Sequence, residues 1–300
     1  MLPGAQKKIY TGIGLAVLAV IIWSGNFIAA RGVIKQVPPV SLAFYRWLTA
    51  SVVLFPFAIQ STRKEWPIIK RSWHYLFWTA LTGITLFNTF VYIGAHYTTA
   101  INLSLIGTTT SPIIAVVLAR VFLKEKLGAW KIAGMILCMS GVLYLLSKGN
   151  LQNLLHLRFT AGDGWVLLAA LSFAIYNTLV RRKPAGISPI NFLLVVFSFG
   201  TLLLFPFYLW EVYHTGPVQW STNLGLIILF LGLGASVISF LSWNLAVGHL
   251  GAGRTALFGN LIPVFASIEA TLLLNEDFTN VHIVSMLLVF AGIVAANRRQ

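Results

Sequence analysis

The sequence predicts an all-α integral membrane protein of ten transmembrane helices, arranged as two inverted five-helix repeats around a central cavity. Three observations carry this. The 300 residues are 58% hydrophobic and only 9% charged, with a mean hydropathy of +0.84, against about 25% charged residues in soluble chains. The apolar residues fall into ten runs, each near the ~20 residues that a span needs. Motifs of the first half return in the second at a near-constant offset. Too little polar surface is left to cover a water-soluble globule, which excludes a soluble enzyme, a disordered chain and a nucleic-acid binder. A membrane barrel is excluded because its strands show weak alternation rather than long apolar runs.

The first span, 10–30, follows Lys7-Lys8 and carries Trp23-Ser24-Gly25-Asn26-Phe27. Its start resembles a signal peptide, but the run from Ile9 to Ala30 is too long and the rest of the chain equally apolar, so it reads as an uncleaved span. The second, 40–60, contains Phe44-Tyr45-Arg46 and Leu54-Phe55-Pro56-Phe57. The third, 73–97, contains Asn88, Tyr92 and His96. Tyr97-Thr98-Thr99 parts it from the fourth, 99–122, with Thr108-Thr109-Thr110-Ser111-Pro112. The fifth, 128–147, holds the single cysteine, Cys138, read as a small packed residue. The sixth, 164–182, contains Phe173-Ala174-Ile175-Tyr176, and the seventh, 190–211, contains Leu204-Phe205-Pro206-Phe207. The eighth, 223–248, contains Ser239 and Trp243. Gly248-His249-Leu250-Gly251 parts it from the ninth, 254–274, which holds Gly259-Asn260-Leu261-Ile262-Pro263 and Glu269. The tenth is 281–297.

Leu54-Phe55-Pro56-Phe57 recurs 150 residues on as Leu204-Phe205-Pro206-Phe207, and Pro39 recurs as Pro189. Pro112, Glu125 and Gly141 match Pro263, Glu276 and Gly292 at an offset of 151. The halves, 1–149 and 150–300, hold five spans each. An odd number turns the second copy upside down relative to the first, placing Glu125 on a cytoplasmic loop and Glu276 on an external one. Inverted repeats of this kind are the signature of alternating-access transporters, with substrate at the repeat interface near the midplane. The alternative is an old duplication kept only for packing.

The formal charge is +14, from 21 Lys and Arg against 7 Asp and Glu. Cytoplasmic loops carry the Lys and Arg excess. With ten spans and the N-terminus inside, fifteen basic residues fall inside, including Arg63-Lys64 and Arg181-Arg182-Lys183. Four fall outside, namely Arg31, Lys35, Lys148 and Arg158. Arg46 and Arg120 remain within spans. Both termini are therefore expected in the cytoplasm, with anionic lipid a secondary partner of the basic clusters.

The chain resembles the EamA family of the drug/metabolite transporter superfamily. The resemblance rests on Trp23-Ser24-Gly25-Asn26-Phe27, Phe44-Tyr45-Arg46 and the segment from Pro112 to Glu125, with looser echoes in Phe173-Ala174-Ile175-Tyr176 and Pro263 to Glu276. It implies ten helices, a 5+5 inverted repeat, a cavity lined mainly by helices 1, 3, 4, 6, 8 and 9, and export of small metabolites, often amino acids. Within the family the chain looks closest to the YddG-type exporters of aromatic amino acids. One departure is that Val196 stands where an arginine matching Arg46 would be.

Polar groups within lipid are costly and tend to face an interior or a cavity. Arg46, about two turns into its span, attracts a substrate carboxylate on one reading. On the other, which we favour, it makes a structural ion pair or bonds carbonyls, with Glu269 the candidate partner. Trp23 and Asn26 share a helix face at i, i+3, and Asn88, Tyr92 and His96 share another. Ser239 and Trp243 are their repeat mates, and Tyr176 and Asn260 are weaker additions. Amides and rings converging from several helices suit a zwitterion with an apolar side chain; the alternatives are interhelical hydrogen bonds and aromatic belts. Pro112 and Pro263 occupy matching places and mark a hinge, a binding site or ordinary kinks. Glu269, His96 and His249 are the only plausible proton carriers, so facilitated diffusion or exchange is preferred over obligatory proton antiport.

No P-loop, no H-E-x-x-H, no aspartate cluster and no G-x-S-G serine are present, and one cysteine excludes cysteine-rich metal sites. The enzyme class is weakened accordingly. The expectation is a cofactor-free, monomeric secondary transporter of the bacterial inner membrane, exporting neutral or aromatic amino acids, with membrane lipids and no nucleic acid as partners. The alternatives are an exporter of hydrophobic or cationic drugs, or a lipid-acting membrane protein or enzyme.

Overall fold

In lipid every backbone N–H and C=O has to be satisfied within the chain, which leaves helices as the solution for long apolar runs. A computed structural model describes residues 3–33, 36–97, 100–124, 128–150, 152–156, 160–274 and 278–297. Lys35, Thr98, Thr99, Glu125, Lys126, Arg158, Glu276, Asp277, Arg298 and Arg299 lie outside the described residues, as do the side chains of Phe27, Arg31, Thr108 and Thr109. The described residues contain helices and no strand. In chain order they are α1 (Pro3–Val33), α2 (Pro39–Arg71), α3 (Trp73–Ala80), a π-helical segment (Leu81–Leu86) and α4 (Phe87–Tyr97). α5 (Ala100–Leu123), α6 (Ala129–Leu146) and the single turn α7 (Gln152–Leu155) follow. Then come α8 (Ala161–Arg181), α9 (Pro189–Thr215), α10 (Thr222–Leu229), a second π-helical segment (Phe230–Ile238) and α11 (Ser239–Leu250). The last are α12 (Ala252–Phe258), a 3-10 turn (Gly259–Leu261), α13 (Ile262–Leu274) and α14 (Asn280–Asn297).

Among the described residues, seven helices are long and apolar enough to cross a membrane: Gln6–Asn26, Pro39–Ile59, Trp73–Gly94, Ala129–Leu146, Ala161–Arg181, Pro189–Thr215 and Thr222–Leu250. The chain is a multi-pass membrane protein. Of the three other expected spans, 99–122 falls on the 24-residue helix α5, whose part with described side chains, Thr110–Leu123, is apolar; Asn280–Ala296 is apolar but shorter, and 254–274 is broken by the 3-10 turn. The boundary expected near 250 lies at Gly251, whose φ of +89° ends α11; only glycine adopts that conformation freely.

α2 and α9 both begin at the proline that the repeat picks out, Pro39 and Pro189, where a fixed φ and a missing N–H suit the first helical position. The two helices run antiparallel, and each end is tied by a carboxylate from the other. Glu211, near the end of α9, accepts from the Val40 N–H (3.1 Å), the Ser41 N–H (2.6 Å) and the Ser41 hydroxyl (2.8 Å). Glu65, near the end of α2, accepts from the Ser188 N–H (2.9 Å), the Ser188 hydroxyl (3.3 Å) and the Asn191 amide (2.6 Å). Free N–H groups at a helix start and the positive end of its dipole favour an anion there. Beside Glu65, burial pushes the Lys183 ammonium down from its ordinary value, and the charge of Glu65 opposes that shift.

α6 and α14 also run antiparallel and meet through small residues. A Cβ on Gly292 would come within 2.6 Å of the Gly134 carbonyl oxygen, and one on Gly141 within 2.9 Å of the Ser285 carbonyl oxygen. Small residues let helices in lipid approach until backbones touch. Cys138 sits buried in this seam with its thiol 3.5 Å from the Val289 carbonyl. The repeated Leu-Phe-Pro-Phe motif, by contrast, turns Phe55, Phe57, Phe205 and Phe207 outward, so it faces lipid.

Two variants probe this frame. Gly292→Ala overpacks the α6–α14 seam and costs about 1–3 kcal/mol. Glu211→Ala leaves the buried Ser41 N–H unpaired and costs about 1–3 kcal/mol. Thermal unfolding in detergent or lipid should record a lower midpoint for both.

Candidate functional site

The interior is organised around Arg46, on α2, which is 2% exposed. Its Nε donates to the Ser236 hydroxyl at 2.7 Å. Nη2 donates to the Ala235 carbonyl at 3.0 Å. Nη1 is shared among Asn88 Oδ1 (3.0 Å), the Tyr92 hydroxyl (3.2 Å) and Asn26 Oδ1 (3.3 Å). The guanidinium lies over the Trp47 ring at 4.8 Å. All of these partners are neutral, and among the described residues no carboxylate reaches ion-pair distance of Arg46. Five neutral acceptors surround the guanidinium without a counter-charge.

The second π-helical segment supplies two of these acceptors. A π turn bonds i to i+5 and displaces carbonyls from their ordinary partners, and such turns are frequent at functional sites. Ser236 and Ser239 donate back to the carbonyls of Leu231 (2.9 Å) and Gly234 (3.0 Å), five residues earlier in each case. The Ala235 carbonyl accepts from both Arg46 and the Trp23 indole N–H (2.9 Å). Gly232 lies where a Cβ would clash with Thr49, and Gly83 in the first π segment lies against the Tyr176 ring. These close approaches are possible because glycine carries no side chain.

An aromatic cluster adjoins Arg46 through Trp23. Its ring lies 5.0 Å from Trp243, 5.5 Å from Phe240 and 5.9 Å from Phe173. Edge-on and tilted pairs at these separations are the preferred ones. Trp243 donates to Asn177 Oδ1 at 2.6 Å, and the Tyr176 hydroxyl donates to Asn244 Oδ1 at 2.8 Å. Three amide atoms of this region are buried with no hydrogen-bond partner: Asn88 Nδ2, Asn244 Nδ2 and Asn260 Oδ1.

The structure thus brings Trp23, Asn26, Arg46, Asn88 and Tyr92 together, with Trp243 and Tyr176 in the adjoining cluster. The Ser239 hydroxyl donates to the Gly234 carbonyl in the preceding π-helical segment, and Asn260 Nδ2 donates to the Leu257 carbonyl near the end of α12. His96 is elsewhere. It is exposed and lines a cleft of about 820 Å³ with Gln36, Pro38, Gly216, Gln219 and Trp220. The other site residues fill the centre in this conformation instead of lining an open cavity.

The expected partnership of Arg46 with Glu269 does not form. Glu269 Oε1 instead accepts from the Ser24 hydroxyl at 2.7 Å. The cause is helical geometry: Ser24 and Asn26, two residues apart on α1, project about 200° apart. Ser24 therefore faces α13 while Asn26 faces Arg46. The matched prolines also differ. Pro112 lies inside the continuous helix α5, whereas Pro263 follows the 3-10 turn in the first turn of α13. Sequence reasoning missed Ser236, Ala235, Phe240, Asn177 and Trp47. The glycines Gly83 and Gly232, 149 residues apart, were the available signal for the π segments.

Comparison with known proteins gives consistent matches. The EamA-like transporter family matches the chain twice, over residues 10–147 and 160–298. An "uncharacterized transporter" of Archaeoglobus fulgidus is 27% identical, over 95% of this chain and 97% of its own length. A "probable terminal-alkyne amino-acid exporter" of Streptantibioticus cattleyicolor is 26% identical, over 97% and 95% of the two chains. A crystal structure shares the fold, with a TM-score of 0.76 at 17% identity, over 97% of this chain and 96% of that one. The names point to a transporter rather than an enzyme.

Removing the Ser236 acceptor tests the arrangement. Ser236→Ala leaves the Arg46 Nε–H unpaired and should lower stability by about 1–3 kcal/mol. Ser239→Ala, which removes only a hydroxyl bond to the Gly234 carbonyl, should cost less than half as much in the same unfolding measurement.

Proposed function

This chain belongs to the EamA-like transporter family, and from that membership we propose that it exports small amino-acid-like metabolites by alternating access. The observation that carries the substrate class is Arg46. A buried guanidinium met only by neutral acceptors offers its charge to a carboxylate. The unpaired Asn88 Nδ2 beside it offers one more donor. The rings of Trp23, Phe173, Phe240 and Trp243 suit an apolar or aromatic side chain, in keeping with the YddG-type resemblance. The amino-acid exporter among the relatives agrees with this reading.

Alternating access rests on two inverted halves, 1–149 and 150–300, each contributing five spans. Three observations support it: the double family match, the reciprocal carboxylate ties between α2 and α9, and the antiparallel α6–α14 seam. In that seam the pair Gly134–Gly292 corresponds to the pair Ser285–Gly141 at an offset of 151. The packed centre is then one state of a cycle in which the halves rock apart, with Pro112 and the Gly259–Pro263 break as hinges. The lysine and arginine bias supports both termini on the cytoplasmic side of a bacterial inner membrane. We take the working unit to be a monomer that needs no cofactor.

Counterflow in proteoliposomes tests the proposal, because it needs no gradient. Vesicles loaded with unlabelled tryptophan should accumulate labelled tryptophan. Asn26→Ala, Asn88→Ala, Tyr92→Phe and Trp243→Ala should each reduce the rate at least about tenfold, the equivalent of about 1.4 kcal/mol, in protein that remains folded. Normal rates in all four variants would remove these residues from the substrate path. Silence of the wild type across aromatic, aliphatic and cationic amino acids would move the substrate class to drugs or lipids.

A further inference from the structure

We infer that Glu269 and Ser24 form a proton-binding site, through which proton entry drives the proposed export. The inference rests on the transporter reading above and adds the coupling ion. It reverses the preference for uncoupled exchange drawn from the sequence.

The hydroxyl of Ser24 holds one hydrogen but faces two acceptors, the Ile21 carbonyl at 2.6 Å and Glu269 Oε1 at 2.7 Å. When Glu269 is ionised, the serine hydrogen goes to the carboxylate. When Glu269 carries a proton, it can donate to Ser24 Oγ while the serine donates to Ile21. The pair thus has two arrangements that differ by one proton and use the same atoms. The second carboxyl oxygen, Oε2, is buried and has no hydrogen-bond partner. It lies 3.7 Å from where a Cβ of Gly25 would stand, with Phe230 at 3.5 Å from the same point.

Among the described residues no cation neutralises this acid. α13 packs against α1, α5, α14 and the 3-10 turn. On α1, Lys7, Lys8 and Tyr10 stand at the opposite end, about 20 Å or more from Ser24 at 1.5 Å per residue, and the side chain of Arg31, about two turns on the other side of Ser24, lies outside the described residues. On α5, Arg120 is exposed. On α14, His282 bonds Thr279. The 3-10 turn has no titratable side chain. His249, on α11, lies against Gly12, about three turns along α1 from Ser24. Glu269 is half-buried, and its Oε2, shielded from solvent with no partner, makes the charged form costly; a proton removes that cost. Ionisable groups within the membrane commonly serve proton relays.

The route from this acid to the substrate site is four residues long. Trp23 bonds Ala235 and packs in the ring cluster. Ser24 bonds Glu269, Gly25 lies beside the second carboxyl oxygen, and Asn26 bonds Arg46. A change in the Ser24 bond therefore acts on the helical turn that holds both the cation and the rings. Ser24 is a positioning residue and Glu269 the proton acceptor. Each cycle binds one proton at the carboxylate from one side and releases it on the other as substrate moves the opposite way.

Two measurements test this, one of them independent of any substrate. Infrared difference spectroscopy of lipid-reconstituted protein, titrated from acid to alkaline pH, should show a carboxylic-acid C=O band that disappears as pH rises. The band should be absent in Glu269→Gln and displaced in frequency, but present, in Glu269→Asp. A band unchanged in both variants, or no titrating band in the wild type, overturns the proposal. In vesicles, accumulation of labelled tryptophan driven by a pH gradient should fall at least about tenfold in Glu269→Gln while counterflow stays within about twofold. Ser24→Ala should keep the infrared band and lose part of the gradient-driven uptake. Gradient-driven uptake that survives in Glu269→Gln overturns the coupling. Should the wild type move no tryptophan, the substrate reading fails on its own and the infrared titration still decides the proton site.

Discussion

A guanidinium held in the membrane core by neutral groups alone constrains most of what surrounds it. A charged side chain at the centre of a span costs about 2.5–3.5 kcal/mol or more, so every one of its donors needs an acceptor. Arg46 finds them on α1, on α4 and on the second π-helical segment. Its demand explains the unusual features nearby. The π turns expose the Ala235 carbonyl and aim the Ser236 hydroxyl inward. Gly232 lets that segment close on α2. The unmet requirement is charge: the acceptors satisfy hydrogen bonds and leave the positive charge uncancelled. That uncancelled charge is what the proposed substrate carboxylate would meet.

The frame that carries this centre is built from contacts that answer one another across the two halves. Glu211 ties the start of α2 and Glu65 the start of α9. The tie is stronger than a hydroxyl cap, because a charged acceptor meets two or three donors at the positive end of a helix. The α6–α14 seam does the same work with glycine, replacing side chains by backbone contact. Both arrangements fix helices rigidly in pairs. The helical course is interrupted instead at Gly251 and at the 3-10 turn before Pro263.

Much of the centre was legible in the sequence because helix periodicity is local. Asn88 and Tyr92 at i, i+4 do converge on one partner, and Trp23 and Asn26 at i, i+3 do share a face. His96 continues that spacing but has run past the packed interior to an exposed rim, since a face says nothing about depth. The Arg46–Glu269 pairing failed for a related reason. Both groups border α1, but on opposite sides of it, and a sequence does not reveal which helix stands between two others. Glu65 and Glu211 gave no signal, because each caps a helix more than a hundred residues away and sits among ordinary span-end polar residues. Ser236 looked like any small residue in an apolar run. Its role arises only from the π turn, which follows from tertiary packing around Gly232.

The proposed role of Arg46 is to receive a substrate carboxylate. It is tested most directly by competition in tryptophan counterflow between two half-molecules of the substrate. Indole-3-propionate keeps the ring and the carboxylate, and tryptamine keeps the ring and the amine. Indole-3-propionate should inhibit at concentrations where tryptamine has little effect, and that difference should be lost in Arg46→Gln. Equal or stronger inhibition by tryptamine, or a preference for the carboxylate that survives in Arg46→Gln, would contradict it.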